Sequence, residues 1–273
     1  MRDIMNVFTS LVKSAYHDLY RFGLRMYKIA PTLPVVRSGY KFSHLGSEYG
    51  GWIFVDSENL YNAVVVSCGV GEDVSFDVEF ASHYGAKVIL VDPTPRAIRH
   101  FKNVEAHLGE PQKQPGSKGG KQSVDSYDLS KLSPGQIRLC EKALWNSVES
   151  VKFFAPRNPD HVSHSIGNYQ NNYVEDTKHI MVTTTTIDKL LDEFVKGKPA
   201  LIKLDIEGAE IEVLLDMLSK GIHPRQVLVE YDELSVPSKI SKARVEAAHS
   251  KLLDAGYLLV HRHQNNFTYF HAN

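Results

Sequence analysis

An apolar run that stops at two glycines constrains the fold of this chain more than any other feature. Residues 63–68 are a β-rich apolar stretch, Gly69 and Gly71 follow one residue apart, and residues 73–84 have a helical pattern. A buried strand that turns through glycines into a helix is typical of the first unit of a parallel α/β sheet. Ligands of such sheets bind at the carboxyl ends of the strands, so this turn is also the first candidate for a binding site.

Strand and helix patterns alternate through the rest of the chain. We predict strands at residues 87–92, 137–144, 151–154, 181–185, 200–206 and 226–231, and helices from Pro95, at 187–194 and at 241–255. Another helix follows residue 206, because Ile211, Leu214, Leu215 and Leu218 recur at helical spacing. Residues 257–262 and 267–270 flank a Gln-Asn-Asn turn, which indicates a terminal antiparallel hairpin. The pattern predicts an α/β fold, with a mostly parallel sheet and helices on both faces.

The chain divides into a short N-terminal segment and one main domain. Residues 4–27 form a predicted amphipathic helix, and prolines between 31 and 34 mark a linker, so we assign residues 1–45 to this segment. The helix packs on the domain, mediates a homo-oligomer or lies on a membrane surface. Residues 46–273 form the main domain, in which the Gly- and Pro-rich stretch 110–136 is predicted to be a mobile loop insertion or lid.

Composition excludes several classes of protein. A net charge of −1 gives no basic surface for nucleic acid. No stretch has the roughly 18 apolar residues of a membrane span, and the N-terminus lacks the pattern of a signal peptide. The two cysteines, Cys68 and Cys140, lie in apolar strand-like runs. They predict reduced, buried thiols and a cytoplasmic protein.

The glycine turn fits three classes of ligand to different degrees. A dinucleotide would bind through G-x-G-x-x-G, but the third glycine position is Val74, and Glu72 and Asp73 would repel a pyrophosphate. A Walker-type phosphate loop needs a G-K-S or G-K-T sequence, which does not follow these glycines. S-adenosylmethionine carries positive charge and no phosphate, so an acidic turn suits it. Alternatively, the two acidic residues favour the helix N-terminus without any ligand.

A second acidic position supports an adenosine ligand. Asp92 ends the predicted second strand, 23 residues after Gly69. An acidic residue about 20 positions beyond the glycines reaches the ribose hydroxyls of an adenosine ligand. NAD shares this feature, so Asp92 by itself does not separate the two cofactors.

Four segments in order resemble the FkbM family of S-adenosylmethionine-dependent methyltransferases. They are GVGEDVSFD, VDPTPRAI, NPDHVSHSI and IKLDIEGAEIEVL, and the resemblance extends from about Gly46 to the C-terminus. It implies a class I methyltransferase (Rossmann-like) fold with a seven-stranded sheet, and O-methylation of a hydroxyl on a sugar, glycan or natural-product acceptor. The sequence departs from the pattern at Ser67, where methyltransferases often have an acidic residue.

Predicted cofactor contacts follow from the turn, the second strand and this resemblance. The residues are Ser67, Gly69, Gly71, Glu72, Asp73, Asp92, Pro93, Thr94 and Leu144. The cofactor is S-adenosyl-L-methionine. A divalent cation is compatible with the nearby carboxylates but is not required by them, and no residue is assigned as a metal ligand.

The strand that ends in LDIEGAE is the best position for the catalytic groups. Lys203, Asp205 and Glu207 would project to one side of an extended chain. We predict that Asp205 and Glu207 are catalytic, one as general base and one holding the amine of the cofactor or the acceptor. The alternative is that Asp205 caps the next helix and that Glu210 interacts with the helix dipole.

Two histidines form a second catalytic candidate. His161 and His164 lie in the polar segment 158–165, and imidazole titrates near neutral pH. They would act as a base or bind the acceptor; a metal-binding pair or two solvated side chains are the alternatives.

These observations predict a methyltransferase that acts on a small-molecule or glycan acceptor. Two alternatives stay open from the sequence. One is a nicotinamide-dependent oxidoreductase on a Rossmann-like sheet, and the other is an inactive methyltransferase domain that binds partners, which the departure at Ser67 suggests.

Overall fold

A seven-stranded sheet with helices on both faces organises the protein. The computed structural model describes residues 30–36, 39–158, 161–171, 173–195 and 197–271, so the helix predicted at residues 4–27 lies outside the described residues. The strands are β1 (Phe42–Leu45), β2 (Trp52–Val55), β3 (Val64–Cys68), β4 (Lys87–Val91), β5 (Ile137–Cys140), β6 (Ala143–Leu144), β7 (Ser150–Phe154), β8 (His179–Thr185), β9 (Leu201–Leu204), β10 (Gln226–Glu230), β11 (Tyr257–His263) and β12 (Asn266–His271). The helices are α1 (Ser75–Tyr84), α2 (Pro95–Ala106), α3 (Ile187–Phe194), α4 (Glu210–Ser219) and α5 (Lys239–Asp254).

The main sheet has the order β11-β12-β10-β9-β3-β4-β5. Strands β10, β9, β3, β4 and β5 are parallel, and β12 is antiparallel to both of its neighbours. From β3 the chain builds the sheet outward through β4 and β5, and then returns to the other side of β3 with β9. Such a reversal of strand order opens a crevice at the carboxyl ends of the central strands. The mostly parallel sheet and the C-terminal hairpin are therefore present as predicted.

The central strands are apolar on both faces because helices cover both faces. Successive side chains of a strand point to opposite sides, so Val65 packs into the core under α1 and α2 while Val66 packs into the core under α3, α4 and α5. In β4, Leu90 packs into the first of these cores and Ile89 into the second. Continuous apolar runs, rather than alternating ones, are the expected sequence of a parallel sheet.

The small β1–β2 sheet is held to the main sheet by buried polar side chains. Gln226 is fully buried and receives a hydrogen bond from the Val55 N–H at 2.8 Å while donating one to the Val55 carbonyl at 2.8 Å. The Thr268 hydroxyl donates to the carbonyl of Ile53 at 2.6 Å. These bonds place β2 against the antiparallel end of the sheet and bring the segment before it to the mouth of the crevice.

The single strand predicted at residues 137–144 is wrong, because the structure has two separate strands there. Only Ile137–Cys140 joins the main sheet, as β5, whereas Ala143–Leu144 is β6 of a separate three-stranded sheet with the order β6-β8-β7. Between them, Glu141 pairs with Lys102 at 3.2 Å and Lys142 pairs with Glu193 at 3.1 Å. Charged pairs belong at the surface, so they turn the chain out of the sheet between two apolar stretches that look continuous in sequence.

The stretch 110–136 is anchored at its C-terminal end. Tyr127, Leu129 and Leu132 are buried in the core that α1 and α2 share. Gln122 is also buried, and its amide donates to Asp73 at 3.3 Å. The mobility of the Gly-rich residues before Gln122 stays a prediction. From Gln122 onward, the stretch packs against the domain.

Two further predictions are settled by the fold. Cys68 and Cys140 are free and buried, as their apolar surroundings indicated. Helix α5 begins two residues earlier than predicted, because the Ser238 hydroxyl accepts a hydrogen bond from the Ser241 N–H at 3.0 Å and caps the helix. Within the described ranges, none of the helices has the length and apolar character needed to cross a membrane.

The buried Gln226 gives a test of this architecture. Gln226→Ala leaves the Val55 N–H and carbonyl buried without partners, so we expect a loss of about 2 kcal/mol or more in the free energy of unfolding. Gln112→Ala is the matched control, because the Gln112 side chain is exposed and bonds only to carbonyls at the surface. Urea denaturation followed by circular dichroism measures both variants, and equal midpoints would contradict the role of Gln226.

Candidate active site

A cavity of about 580 Å³ opens at the carboxyl ends of the central strands. It extends from the β4 end of the crevice, across β3, β9 and β10, to the hairpin of β11 and β12. Its size is within the range of small-molecule and cofactor sites. Tyr49 and Gly50, which precede β2, and Gly120 of the stretch 110–136 form part of its mouth.

The glycine turn is built by close backbone approach. Gly69 has φ +74°, and a Cβ atom added there would lie 1.5 Å from the carbonyl oxygen of Asp205. Gly71 has φ +53°, and its Cβ would lie 2.8 Å from a methyl group of Val162. Only glycine fits both the left-handed backbone and the absence of space. The turn after β3 therefore touches the end of β9 and the 161–166 segment, which brings three distant parts of the sequence together.

Asp92 holds the glycine turn through hydrogen bonds with its backbone N–H groups. Its Oδ2 accepts hydrogen bonds from the N–H groups of Val70 at 3.1 Å and Gly71 at 3.0 Å. Its Oδ1 accepts from the N–H of Thr94 at 2.9 Å and from the Thr94 hydroxyl at 2.7 Å. Four accepted bonds use the whole capacity of a carboxylate. Asp92 lines the cavity as predicted, but its contact with a ribose stays a prediction, because the carboxylate already binds the chain.

The two acidic residues of the turn are also engaged by the protein, and their contact with a cofactor stays a prediction. Glu72 forms a salt bridge with Arg96. Asp73 accepts hydrogen bonds from the Ser47 hydroxyl at 2.6 Å and from the Ser75 N–H at 3.0 Å. Both residues line the cavity, but their carboxylates mainly hold α2 and the segment before β2 in place.

The other predicted cofactor residues divide into two groups. Pro93, Thr94 and Leu144 line the cavity, and Leu144 does so from the small three-stranded sheet rather than from the main one. Ser67 is completely buried and is not part of the cavity lining that the structure describes. By the alternation of β3 it lies on the same face of the sheet as Val65, and its contact with the cofactor stays a prediction.

The end of β9 places a buried ammonium beside a carboxylate. Lys203 donates to the carbonyl of Gly69 at 2.8 Å, and its Nζ lies 3.4 Å from Oδ2 of Asp205. The Lys203 ammonium also lies over the ring of Trp52, 5.4 Å from its centroid. Burial lowers the pKa of Lys203, but Asp205 and then Asp77 outweigh burial and raise it above its ordinary value. Lys203 is therefore charged, and it ties Asp205 to the glycine turn.

Beyond β9 the chain is not extended, which changes how Asp205 and Glu207 are presented. Glu207 has φ +56° and Gly208 has φ +95°, so the backbone turns sharply before α4 begins. Asp205 and Glu207 both line the cavity, and their catalytic roles stay a prediction. Asp205 does not cap α4. Instead the buried Glu210 accepts bonds from the N–H groups of Ile206 at 2.8 Å and Gly208 at 3.0 Å.

The two predicted histidines have different surroundings. His164 lines the cavity, and its Nδ1 lies 3.1 Å from the carbonyl oxygen of Val162. The His161 side chain is exposed, and its carbonyl oxygen accepts a hydrogen bond from Arg96 at 3.0 Å. His164 is thus the better placed of the pair, and a catalytic role for either residue stays a prediction. Among the described residues, no group of three or more His, Cys, Asp or Glu side chains is arranged to hold a metal ion.

Carboxylates at the end of β10 enlarge the site beyond the residues predicted to be catalytic. Glu230, the last residue of β10, and Asp232 both line the cavity. Burial, followed by the negative charges of Asp205 and Glu207, raises the pKa of Glu230 to about 8. Burial and neighbouring carboxylates also raise the pKa of Asp232 well above its ordinary value. The E-x-D spacing at the end of a predicted strand was the sequence signal, because alternate residues there point the same way.

The fold and the cavity define the class of this protein. Five parallel strands, an antiparallel β12 between β10 and β11, and a glycine turn at the reversal of strand order form an α/β domain of the methyltransferase type. The chain matches the family model described as Methyltransferase FkbM domain over residues 41–259. That match covers most of the chain, and the protein belongs to the FkbM methyltransferase family. A search of curated proteins gave no match.

Gly69→Ala tests the close approach at the turn. Gly135→Ala is the matched control, since Gly135 has φ +80° with no atom within 4 Å of the added Cβ. We expect Gly135→Ala to cost about 1–2 kcal/mol of left-handed backbone strain. Gly69→Ala should cost more than about 3 kcal/mol, because the carbonyl of Asp205 must also move. Equal urea midpoints for the two variants would contradict the packing of the turn against β9.

Proposed function

We propose that the protein is an S-adenosylmethionine-dependent methyltransferase that methylates a hydroxyl of a sugar, glycan or natural-product acceptor. The observation that carries this proposal is the occupation of the turn N–H groups by Asp92. In dinucleotide-binding proteins the N–H groups of such a turn are the donors for the pyrophosphate. Here the N–H groups of Val70 and Gly71 already bind the carboxylate of Asp92, so these two donors are not available to a phosphate.

The charge of the cavity also supports S-adenosylmethionine as the methyl donor. Eight carboxylates and a single ammonium, that of Lys203, belong to the cavity lining that the structure describes. S-adenosylmethionine carries a sulfonium and an α-ammonium, and its adenosine has no phosphate. Its residues of contact would be Gly69, Gly71, Pro93, Thr94 and Leu144, with Asp205 nearest to the positive end. When bound, the cofactor supplies an electrophilic methyl group.

The protein's part in the reaction is to orient the acceptor and to take up its proton. The acceptor oxygen must lie in line with the bond that breaks, and a neutral hydroxyl is a weak nucleophile unless a base removes its proton as the new bond forms. Asp205 is held by Lys203, which leaves Glu207, Glu230 and His164 as candidate bases at the cavity wall. We assign the base to Glu230, because a pKa of about 8 suits proton uptake near neutral pH.

Direct binding separates this proposal from the nicotinamide alternative. We expect isothermal titration calorimetry to detect S-adenosylmethionine and to give no heat of binding with NADH. Asp92→Ala should weaken S-adenosylmethionine binding at least tenfold, because the N–H groups of Val70 and Gly71 lose their acceptor and the turn no longer keeps its shape. Asp254→Asn, at the exposed end of α5, is the control. Binding of NADH, or of neither cofactor, would overturn the proposal.

The raised pKa of Glu230 has two expected consequences: the rate of methyl transfer rises with pH, and the stability of the fold falls. Methyl transfer should rise about tenfold from pH 7 to pH 9, because the carboxylate becomes ionised as pH passes its pKa of about 8, and Glu230→Gln should abolish this rise. In the unfolded chain Glu230 ionises near its ordinary value of 4.5, so the folded wild type loses stability between pH 4.5 and about 8.

Glu230→Gln should therefore be more stable than the wild type at pH 8 or above, even though it is less active. Urea denaturation at pH 5 and pH 8.5 measures this difference, with Glu175→Gln at the surface as control. A pH profile that is the same in wild type and Glu230→Gln would rule out Glu230 as the base.

A further inference from the structure

Asp77, in the first turn of α1, is a buried carboxylate that the proposed reaction does not use. It is 2% exposed, and its Oδ1 has no hydrogen-bond partner among the described residues. It does not belong to the cavity lining that the structure describes. A buried carboxylate without a hydrogen-bond partner is costly, so its presence requires a physical reason.

The register of the sheet places Lys203 opposite the helix that carries Asp77. Ser67 and Lys203 are neighbours in the parallel pairing of β3 with β9. Two residues earlier in each strand, Val65 and Leu201 pack into the core under α1 and α2. Side chains two residues apart in a strand point to the same face, so Ser67 and Lys203 also face α1.

The charges of Asp77 and Lys203 act on each other across this core. Burial raises the pKa of Asp77 to about 6, and the charge of Lys203, followed by the Ser67 side chain, opposes that rise. In turn, the charges of Asp205 and then Asp77 raise the pKa of Lys203 against the effect of burial. The ammonium is thus compensated twice, by Asp205 at the cavity and by Asp77 in the core.

The position of Lys203 is fixed by other contacts. Its ammonium donates to the Gly69 carbonyl at 2.8 Å and lies over the ring of Trp52, 5.4 Å from the centroid. Loss of the charge of Asp77 would therefore leave the ammonium in place, with Asp205 as its remaining counterion.

The count of charges shows what Asp77 contributes to the cavity. The Asp205 side chain is 30% exposed, and its Oδ2 lies 3.4 Å from Nζ of Lys203. By themselves, Lys203 and Asp205 would offer a cationic ligand no net charge. With Asp77 present, two carboxylates and one ammonium leave one negative charge, and Asp205 is the member of this group that lines the cavity as a carboxylate.

We propose that Asp77 is a positioning residue for the methyl donor: it compensates Lys203 from the core, so that Asp205 keeps its charge for the α-ammonium of S-adenosylmethionine. This rests on the proposed methyltransferase function. Asp77 acts only through Lys203 and Asp205 and touches neither the cofactor nor the acceptor.

Asp77→Asn, which removes the charge and keeps the shape, tests this role with two ligands. S-adenosylhomocysteine has the α-ammonium, whereas 5′-methylthioadenosine keeps the adenosine and lacks the whole amino acid part. In calorimetry at pH 7.5 we expect Asp77→Asn to bind S-adenosylhomocysteine at least tenfold more weakly than the wild type does. Its affinity for 5′-methylthioadenosine should stay within about twofold. Equal weakening of both ligands would show that Asp77 only supports the fold, and unchanged affinity for S-adenosylhomocysteine would also overturn the proposal.

Val78→Ala is the matched control for damage to α1. Val78 is the next residue of the helix, is 2% exposed and packs into the core that α1 and α2 share. The variant should lower the urea midpoint and keep the affinity for S-adenosylhomocysteine within about twofold. Weakening as large as that of Asp77→Asn would attribute the effect to the packing of α1 and overturn the role of the charge.

Moving the carboxylate gives a second, independent test. Asp77→Ser alone should weaken S-adenosylhomocysteine at least tenfold, and adding Ser67→Asp should restore the affinity to within about threefold of the wild type. The new carboxylate would stand on the strand next to Lys203, about 5 Å away between backbones, while the exchange keeps the same side-chain atoms in the core. Should Asp77→Asn fail to fold, this exchange decides alone. A folded double variant that binds as weakly as Asp77→Ser would overturn the proposal.

Failure of this proposal is distinguishable from failure of the proposed function. A wild type that binds neither S-adenosylmethionine nor S-adenosylhomocysteine would overturn both. A wild type that binds both ligands, beside an Asp77→Asn variant of equal affinity, would overturn the role of Asp77 and leave the methyltransferase intact.

Discussion

The hydrogen bonds that Asp92 accepts from the glycine turn hold the site together. They join the end of β4 to the turn after β3, and the missing side chain of Gly69 lets that turn touch the carbonyl of Asp205 after β9. Lys203 completes the contact by donating to the Gly69 carbonyl from the same strand. Three neighbouring strand ends are therefore tied together by polar contacts with the backbone of the turn, and these contacts form the floor of the cavity.

The carboxylates that line the cavity differ in the groups that compensate their charge. Glu72, Asp73 and Asp92 are compensated by Arg96, hydroxyls and N–H groups, so they shape the β4 end without presenting much free charge. Glu207, Glu230 and Asp232 lie where burial and mutual repulsion raise the pKa of Glu230 and Asp232. A methyltransferase needs a place for a cationic donor and a base near the acceptor. In the proposed reaction, both would lie in this one cavity.

Local pattern was sufficient for the sheet but not for every strand or site residue. The apolar runs of β3, β4, β9 and β10 and the hairpin were predicted, since a strand buried on both faces is recognisable from its own residues. The run 137–144 was predicted as one strand because the charged pairs of Glu141 and Lys142 with distant residues are not visible locally. The alternative in which Asp205 caps α4 failed for a similar reason, since Glu210 accepts the hydrogen bonds of the Ile206 and Gly208 N–H groups.

The sequence by itself determined the α/β architecture, the glycine turn, the acidic position at Asp92 and the resemblance to the FkbM family, because each depends on residues close together in the chain. Only the tertiary structure decided which charges are available to a ligand. Glu72 and Asp73 are adjacent to the turn in sequence, yet Arg96 and Ser47 engage them. Glu230 and Asp232 lie far along the chain, yet they reach the same cavity. Electrostatic compensation depends on distance in space, and folding alone sets that distance.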